Sequence, residues 1–330
     1  MDVLLSLPIL SYFAAPALTS WSTSLNLLFF YMTWTTLVLT YSPLKIELVG
    51  TLAVRLTLWL TPSFLFLLFD IGVPSLSESI KFHGSSSLPR RDAASLLKKL
   101  ALAVINLLLF TVVQAGLSIS ATVLLKDPVF KTSTALPLPW QIIKQIGLLY
   151  TSREIFTYYI HRNILHSRGA LANLHGKFAH AHRGAPYSLM LYADHPLPLM
   201  LHRLLPVYIP SLLIRPHLLT YIMFTVLTTI EEMLSMSGYS VVPGIIMGGI
   251  TRRTATHYAS GGRGNFGTWG LLDWVNGTSV GKDVMEDFHE EADKHQMKHR
   301  GHKAANDTGN FVQDSINGWK KGKRSSRRKN

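Results

Sequence analysis

The chain has 330 residues, of which 48% are hydrophobic and only 15% are charged, and its formal net charge is +13. Soluble domains carry about 25% charged residues, so the deficit argues against an ordinary soluble protein. Cysteine is absent, which excludes disulfides, iron–sulfur clusters, thiolate haem and cysteine-ligated zinc.

The shortage of charge is local. No charged residue and no histidine lies between Val3 and Leu44, and Leu100 to Leu125 is equally bare between Lys99 and Lys126. A bilayer span needs about 20 apolar residues, and both runs are long enough. The start is not a good cleavable signal, because Asp2 stands where a positive n-region belongs and the apolar stretch is too long.

In chain order, a first span is expected from Ser24 to Tyr41, stopped by Pro43, and a second from Ile46 to Phe69. Glu47 and Arg55 in the second should face other helices or snorkel. Ser77 to Lys99 reads as a polar connection, with Gly84-Ser85-Ser86-Ser87 and Pro89-Arg90-Arg91 as loop signals. The span Leu100–Leu125 follows, and Pro128, Pro137 and Pro139 punctuate the next connection.

From Trp140 to His166 a helix is expected, made amphipathic by Lys144, Arg153, Glu154, His161 and His166. Leu199 to Tyr239 is apolar again but broken at Arg215-Pro216-His217, which suggests a membrane hairpin that returns the chain to the side it left. Beyond Gly248 the sequence turns glycine-rich and then charged. It ends in a basic tail, Lys320 to Lys329, which on a membrane protein marks the cytoplasmic side more often than it binds anionic lipid head groups or, least often, nucleic acid. The sequons at Asn276 and Asn306 matter only if that region is lumenal, and the tail argues that it is not.

These features predict an all-α, multi-span membrane protein with a cytosolic helical cap. The expected organisation is a transmembrane region over 1–135, a histidine-rich region over 136–285 containing the hairpin near 199–239, and a charged tail over 286–330.

Fourteen histidines are present. Seven stand out as candidate metal ligands: His161, His166, His175, His180, His182, His195 and His257. Neutral imidazole suits iron, copper, nickel and zinc, and without cysteine an imidazole site is what remains. His175 and His182, seven apart, share a helix face. His161 and His166, five apart, lie about 140° apart on an ideal helix, so that pair needs a helix end, a π-bulge or two sides of a metal pair. Glu231 and Glu232 end an apolar helix, as extra ligands or as an interfacial helix end. Asp194 either orients a neighbouring imidazole or caps the turn before Pro196. His289, His295, His299 and His302 read as a solvated helix, and His202 and His217 as interfacial.

His161-Arg-Asn-Ile-Leu-His166, His175-Gly-Lys-Phe-Ala-His180-Ala-His182 and Asp194-His195-Pro196 resemble the successive histidine boxes of the fatty acid hydroxylase and sterol desaturase superfamily. Gly264-Asn265-Phe266-Gly267 and Asp273-Trp274 with Gly277-Thr278 resemble the segment after that family's last box. The sequence departs from the pattern in four places. The first box has four residues between its histidines, and the second is not the usual H-x-x-H-H but is spread as His175, His180 and His182. His257 stands alone in the third, and Met236 precedes Ser237-Gly238-Tyr239 where a histidine is often found.

The resemblance implies a di-iron centre on the cytosolic face of the endoplasmic reticulum. It implies use of molecular oxygen, with electrons from a separate cytochrome b and an NAD(P)H-dependent reductase. The implied reaction is hydroxylation of a fatty acyl chain, for a common or a specialised lipid. Hydroxylation or desaturation of a sterol or sphingoid base is the alternative. A haem protein with two axial histidines and a non-catalytic membrane scaffold derived from the family are the competing readings. No nucleic-acid partner is expected.

Overall fold

The computed structural model describes residues 21–181 and 184–294. Among them the structure is helical with no β-strand. Four helices are long and apolar enough to cross a membrane: Pro43–Gly72, Ala93–Leu125, Pro196–Ile214 and Leu218–Ser235. In chain order the helices are α1 (Trp21–Thr40), α2 (Pro43–Gly72), α3 (Pro74–Ile80), α4 (Ala93–Leu125), α5 (Pro139–Ile160), α6 (Ala170–Phe178), α7 (Pro196–Ile214), α8 (Leu218–Ser235), α9 (Ile245–Ala259), α10 (Leu271–Val275) and α11 (Val284–Lys294).

The termini of these helices follow from local chemistry. Ser42 caps α2 by accepting from the Lys45 amide, with Pro43 in the first turn. Asp92 caps α4 by accepting from the amides of Ala94 and Ser95. Each such cap satisfies amides that have no partner within the helix. The break at Arg215-Pro216-His217 joins α7 to α8, and Arg215 takes a left-handed conformation with φ of 48°. His217 then caps α8 by accepting from the Leu219 amide at 3.2 Å.

The bundle is inverted relative to a soluble protein. Large apolar side chains point outward, with Phe29 74%, Leu39 75% and Leu124 81% exposed. Polar groups are packed inside. Arg55 donates to Gln114 (3.2 Å), and Gln114 and Ser118 both donate to Glu47 (2.8 Å each). Glu47 and Arg55 therefore face other helices, one of the two placements expected of them. A bilayer offers no water to satisfy such groups, so they must meet each other.

Helix α5 packs on α7 and α8, and α8 packs on α2 and α9. Past α8, Gly238 and Ser240 pair with Phe82 and Ile80 through backbone hydrogen bonds of 2.9 and 2.8 Å. The Tyr239 hydroxyl reaches Asp70 at 2.8 Å, and Asp70 is in turn bonded to Lys81 and Ser77. This knot fixes the far end of α8 and the direction in which the chain leaves for α9.

Candidate metal centre

Helix α5 does not end at Ile160. It runs into a π-turn over His161–Leu165, closed by a bond of 3.0 Å from the His166 amide to the His161 carbonyl. A five-residue spacing that would splay two rings on an α-helix is thereby brought to one side. The ring centroids of His161 and His166 are 4.7 Å apart and their Nε2 atoms are separated by 3.1 Å.

Four further imidazoles join this pair. His175 comes from the last turn of α6, His180 from the turn after it, His257 from α9 and His202 from α7. His175 lies 5.1 Å from both His166 and His180, and His257 lies 4.7 Å from His161 and 4.9 Å from His180. His202 stacks on His161 at 4.1 Å. One nitrogen from each of His161, His166, His180 and His257 lies within 4.8 Å of the others.

The rings are held by their outer nitrogens. Nδ1–H of His161 donates to the Phe266 carbonyl (2.9 Å), that of His257 to the Gly264 carbonyl (2.7 Å), and that of His175 to Asp194 Oδ2 (2.7 Å). These bonds fix the tautomer and turn Nε2 inward as an acceptor lone pair, the arrangement that metal-binding histidines use; that of His161 meets His166 Nε2 at 3.1 Å. The Nε2 atoms of His175 and His257 and both ring nitrogens of His180 are buried with no hydrogen-bond partner among the described residues.

The rings of His161, His166, His180 and His257 are also kept neutral. Burial, aided by the neighbouring imidazoles, pushes the pKa of His166 and of His180 down to about 2 and that of His161 well below its ordinary value. Burial likewise lowers His257 to about 4, against the opposing hydrogen bond to Gly264. Neutral rings with inward lone pairs that no described residue satisfies, those of His180 and His257, fit a bound cation of the kind imidazole favours.

Behind the rings lies a supporting layer. The loop 264–270 supplies the carbonyls for His161 and His257, and two buried carboxylates hold that loop. Glu154 accepts from the amides of Thr268 (3.0 Å) and Trp269 (3.1 Å), and Asp273 accepts from Phe266 (2.8 Å) and Gly267 (2.7 Å). Burial raises Glu154 to about 7 and pushes Asp273 upward as well. Asn265 closes the loop by pairing with Val280 through both ends of its amide, at 2.9 Å each.

Two glycines are required by close approach. A side chain at Gly262 (φ +86°) would meet the His166 ring at 2.2 Å, and one at Gly264 (φ +70°) would meet the Thr278 carbonyl at 2.4 Å. On the other flank, Asn106 of α4 donates to the carbonyls of Tyr192 and Asp194 at 2.7 Å each, so a membrane helix positions the carboxylate that orients His175.

Of the seven histidines singled out in the sequence, five come together: His161, His166, His175, His180 and His257. His195 does not. Its Nδ1 accepts from the Leu197 amide at 3.3 Å and caps α7, while its ring packs on Phe178. His182 lies outside the described residues, as do His295, His299, His302 and Asn306. His289 is exposed on α11.

Glu231 and Glu232 are neither in the cluster nor at a wet helix end. Arg153 binds both, at 2.7 and 2.9 Å, and Arg203 reaches Glu232 at 3.3 Å. Asp194 does orient an imidazole, that of His175. The reading of His202 as an interfacial residue is overturned by its stack on His161. The signal in the sequence was a polar ring inside an apolar run, which is costly unless it has a partner.

Fold and site together define a multi-span helical membrane protein with a buried imidazole cluster able to hold a metal. The family model described as Fatty acid hydroxylase matches residues 146–278, a stretch that takes in all six clustered histidines and the loop that holds them. The match agrees with the resemblance of that segment to the fatty acid hydroxylase and sterol desaturase superfamily. No solved structure matches the chain.

Proposed function

We propose that the chain is a membrane-bound hydroxylase of lipid acyl chains, working at a pair of irons held by the histidine cluster. The observation that carries this reading is the set of inward-facing, unpartnered imidazole nitrogens within a segment of the fatty acid hydroxylase type. His161, His166, His180 and His257 would hold the metal, with His175 beside them and His182 as a further candidate. Iron with dioxygen, and electrons from a separate cytochrome b and NAD(P)H-dependent reductase, supplies an oxidant able to place one oxygen atom into a C–H bond while the other leaves as water.

The protein contributes position and dryness. Phe266, Gly264 and Asp194 hold three rings in one tautomer, and Glu154 and Asp273 hold the loop that carries the first two of those acceptors. A small cavity of about 40 Å³ opens beside His161, His202 and His257, with room for little more than a water-sized group. A larger apolar cavity of about 310 Å³ is walled by Ile245, Ile246, Met247, Ile250, Trp269 and Phe288. Trp269 is three residues from Phe266, and Ile250 lies two helical turns before His257 on α9. These shared elements favour the larger cavity as the place of an acyl chain. The rings, loop and tail face the cytosol in this reading, on the endoplasmic reticulum.

The test is expression in a host lacking the activity, followed by mass spectrometry of total lipids. Acyl species heavier by one oxygen are expected with the wild type and not with His257→Ala. The same oxygen found only on sterols or sphingoid bases would move the substrate. No oxygenated product from any lipid class, with protein present and iron supplied, would contradict the proposal.

A further inference from the structure

Helix α7 reads from its sequence as a plain membrane span, yet it carries a π-turn over Met200–Leu204, and His202 sits in that turn. A π-turn inserts one extra residue into an α-helix, an uncommon distortion that re-aims the side chains on it. Shifting the register by one residue would rotate His202 by about 100°. The two polar residues of the turn part company: Arg203 goes to Glu232 at 3.3 Å, and His202 goes to the histidines.

There its ring stacks on His161 at 4.1 Å and 30°, and its centroid is 6.1 Å from that of His175. With His161 and His257 it lines the small cavity of about 40 Å³. Its contacts with the described residues are ring contacts and not hydrogen bonds, so none of those residues takes up its ring nitrogens. His161, its stacking partner, is also carried by a π-turn, so two distorted helical turns from different parts of the chain meet at one point.

We propose that His202 is a metal ligand of this centre, contributed by the membrane hairpin and not by the histidine-rich stretch. This rests on the metal-binding reading above. It also ties the centre mechanically to a bilayer-embedded helix, since a ligand on α7 fixes that helix against α5.

The test uses the full chain purified in detergent, stripped of metal and titrated with Co(II), whose visible absorption bands report the ligands around it. His202→Phe keeps a flat ring for the stack but has no donor nitrogen. It is expected to weaken Co(II) binding about tenfold or more and to alter the bands, with thermal unfolding of the metal-free protein unchanged. His202→Gln reads in the same way should the phenylalanine disturb folding. His195→Ala, whose ring lies outside the cluster, is expected to titrate like the wild type. If both His202 variants bind Co(II) with wild-type affinity and spectrum, the inference is overturned and the metal centre stands without it. If the wild type itself takes up no Co(II), the metal-binding reading falls, and His202 with it.

Discussion

Two buried polar clusters lie in this molecule and differ in one respect. Between α2 and α4, the groups of Glu47, Arg55, Gln114 and Ser118 are matched donor to acceptor. In the histidine cluster the outer nitrogens of His161, His175 and His257 are matched in the same way, but the inner ones of His175 and His257 and both of His180 meet no partner among the described residues. Both sets carry the cost of removing polar groups from water. The first offsets that cost within the chain and serves as helix-to-helix glue. The second leaves part of it standing, and that remainder is what a metal ion would satisfy.

The sharpest way to break this comparison is to remove an inward nitrogen. His257→Ala and His161→Ala should each abolish hydroxylated product and bound metal while the protein still inserts, read by lipid mass spectrometry and by metal content. A next smaller effect is expected from Gly262→Ala, whose new methyl would collide with the His166 ring. A metal affinity lower by about 10–100-fold is the expected scale for a displaced ligand support, measured by competition with a chelator.

Acidity separates the clusters further. His257 has a folded pKa of about 4, and His166 and His180 of about 2, all below the ordinary value of 6.5. Between those values and 6.5 the unfolded chain binds more protons than the folded one, so stability falls as pH falls. The three imidazoles give their full contribution to the metal-free protein above pH 6.5 and lose it progressively toward pH 4 and below, outweighing Glu154, whose pKa raised to about 7 acts in the opposite sense. Thermal unfolding in detergent across pH 7.5 to 4 checks the sign. A midpoint that rises on acidification would contradict it.

The smallest effect belongs to the matched cluster. Gln114→Ala removes one donor and one acceptor, and hydrogen bonds inside membranes average about 0.6 kcal/mol with a maximum near 1.7. A loss on that scale per bond is expected in unfolding by denaturant, with metal content unchanged. Loss of metal in this variant would mean the two clusters are not separate.

What could be read from the sequence followed the range of the interaction. Helical spans and the break at Arg215-Pro216-His217 depend on local hydropathy and were visible, as was the need for a π-bulge or its equivalent between His161 and His166. The Asp194–His175 contact was one of two readings left open, and it spans only 19 residues. Contacts across long separations were not legible. Arg153 reaches Glu231 over 78 residues, and Glu154 reaches the loop at Trp269 over 115. His202 was missed for a related reason. A histidine in an apolar run next to an arginine looks like a helix end at the membrane surface, and only a distortion of α7 aims it inward. Asp194-His195-Pro196 resembles a histidine box in sequence, but the His195 nitrogen accepts from the amide two residues on and starts α7.

The central claim is that the unmatched imidazoles hold metal. The most direct measurement is elemental analysis of the full chain purified in detergent from iron-supplied cells, compared with a His161→Ala/His257→Ala double variant. The account predicts close to two irons per chain in the wild type and nearly none in the double variant. A wild-type protein free of transition metal, or a double variant that retains as much as the wild type, would contradict it.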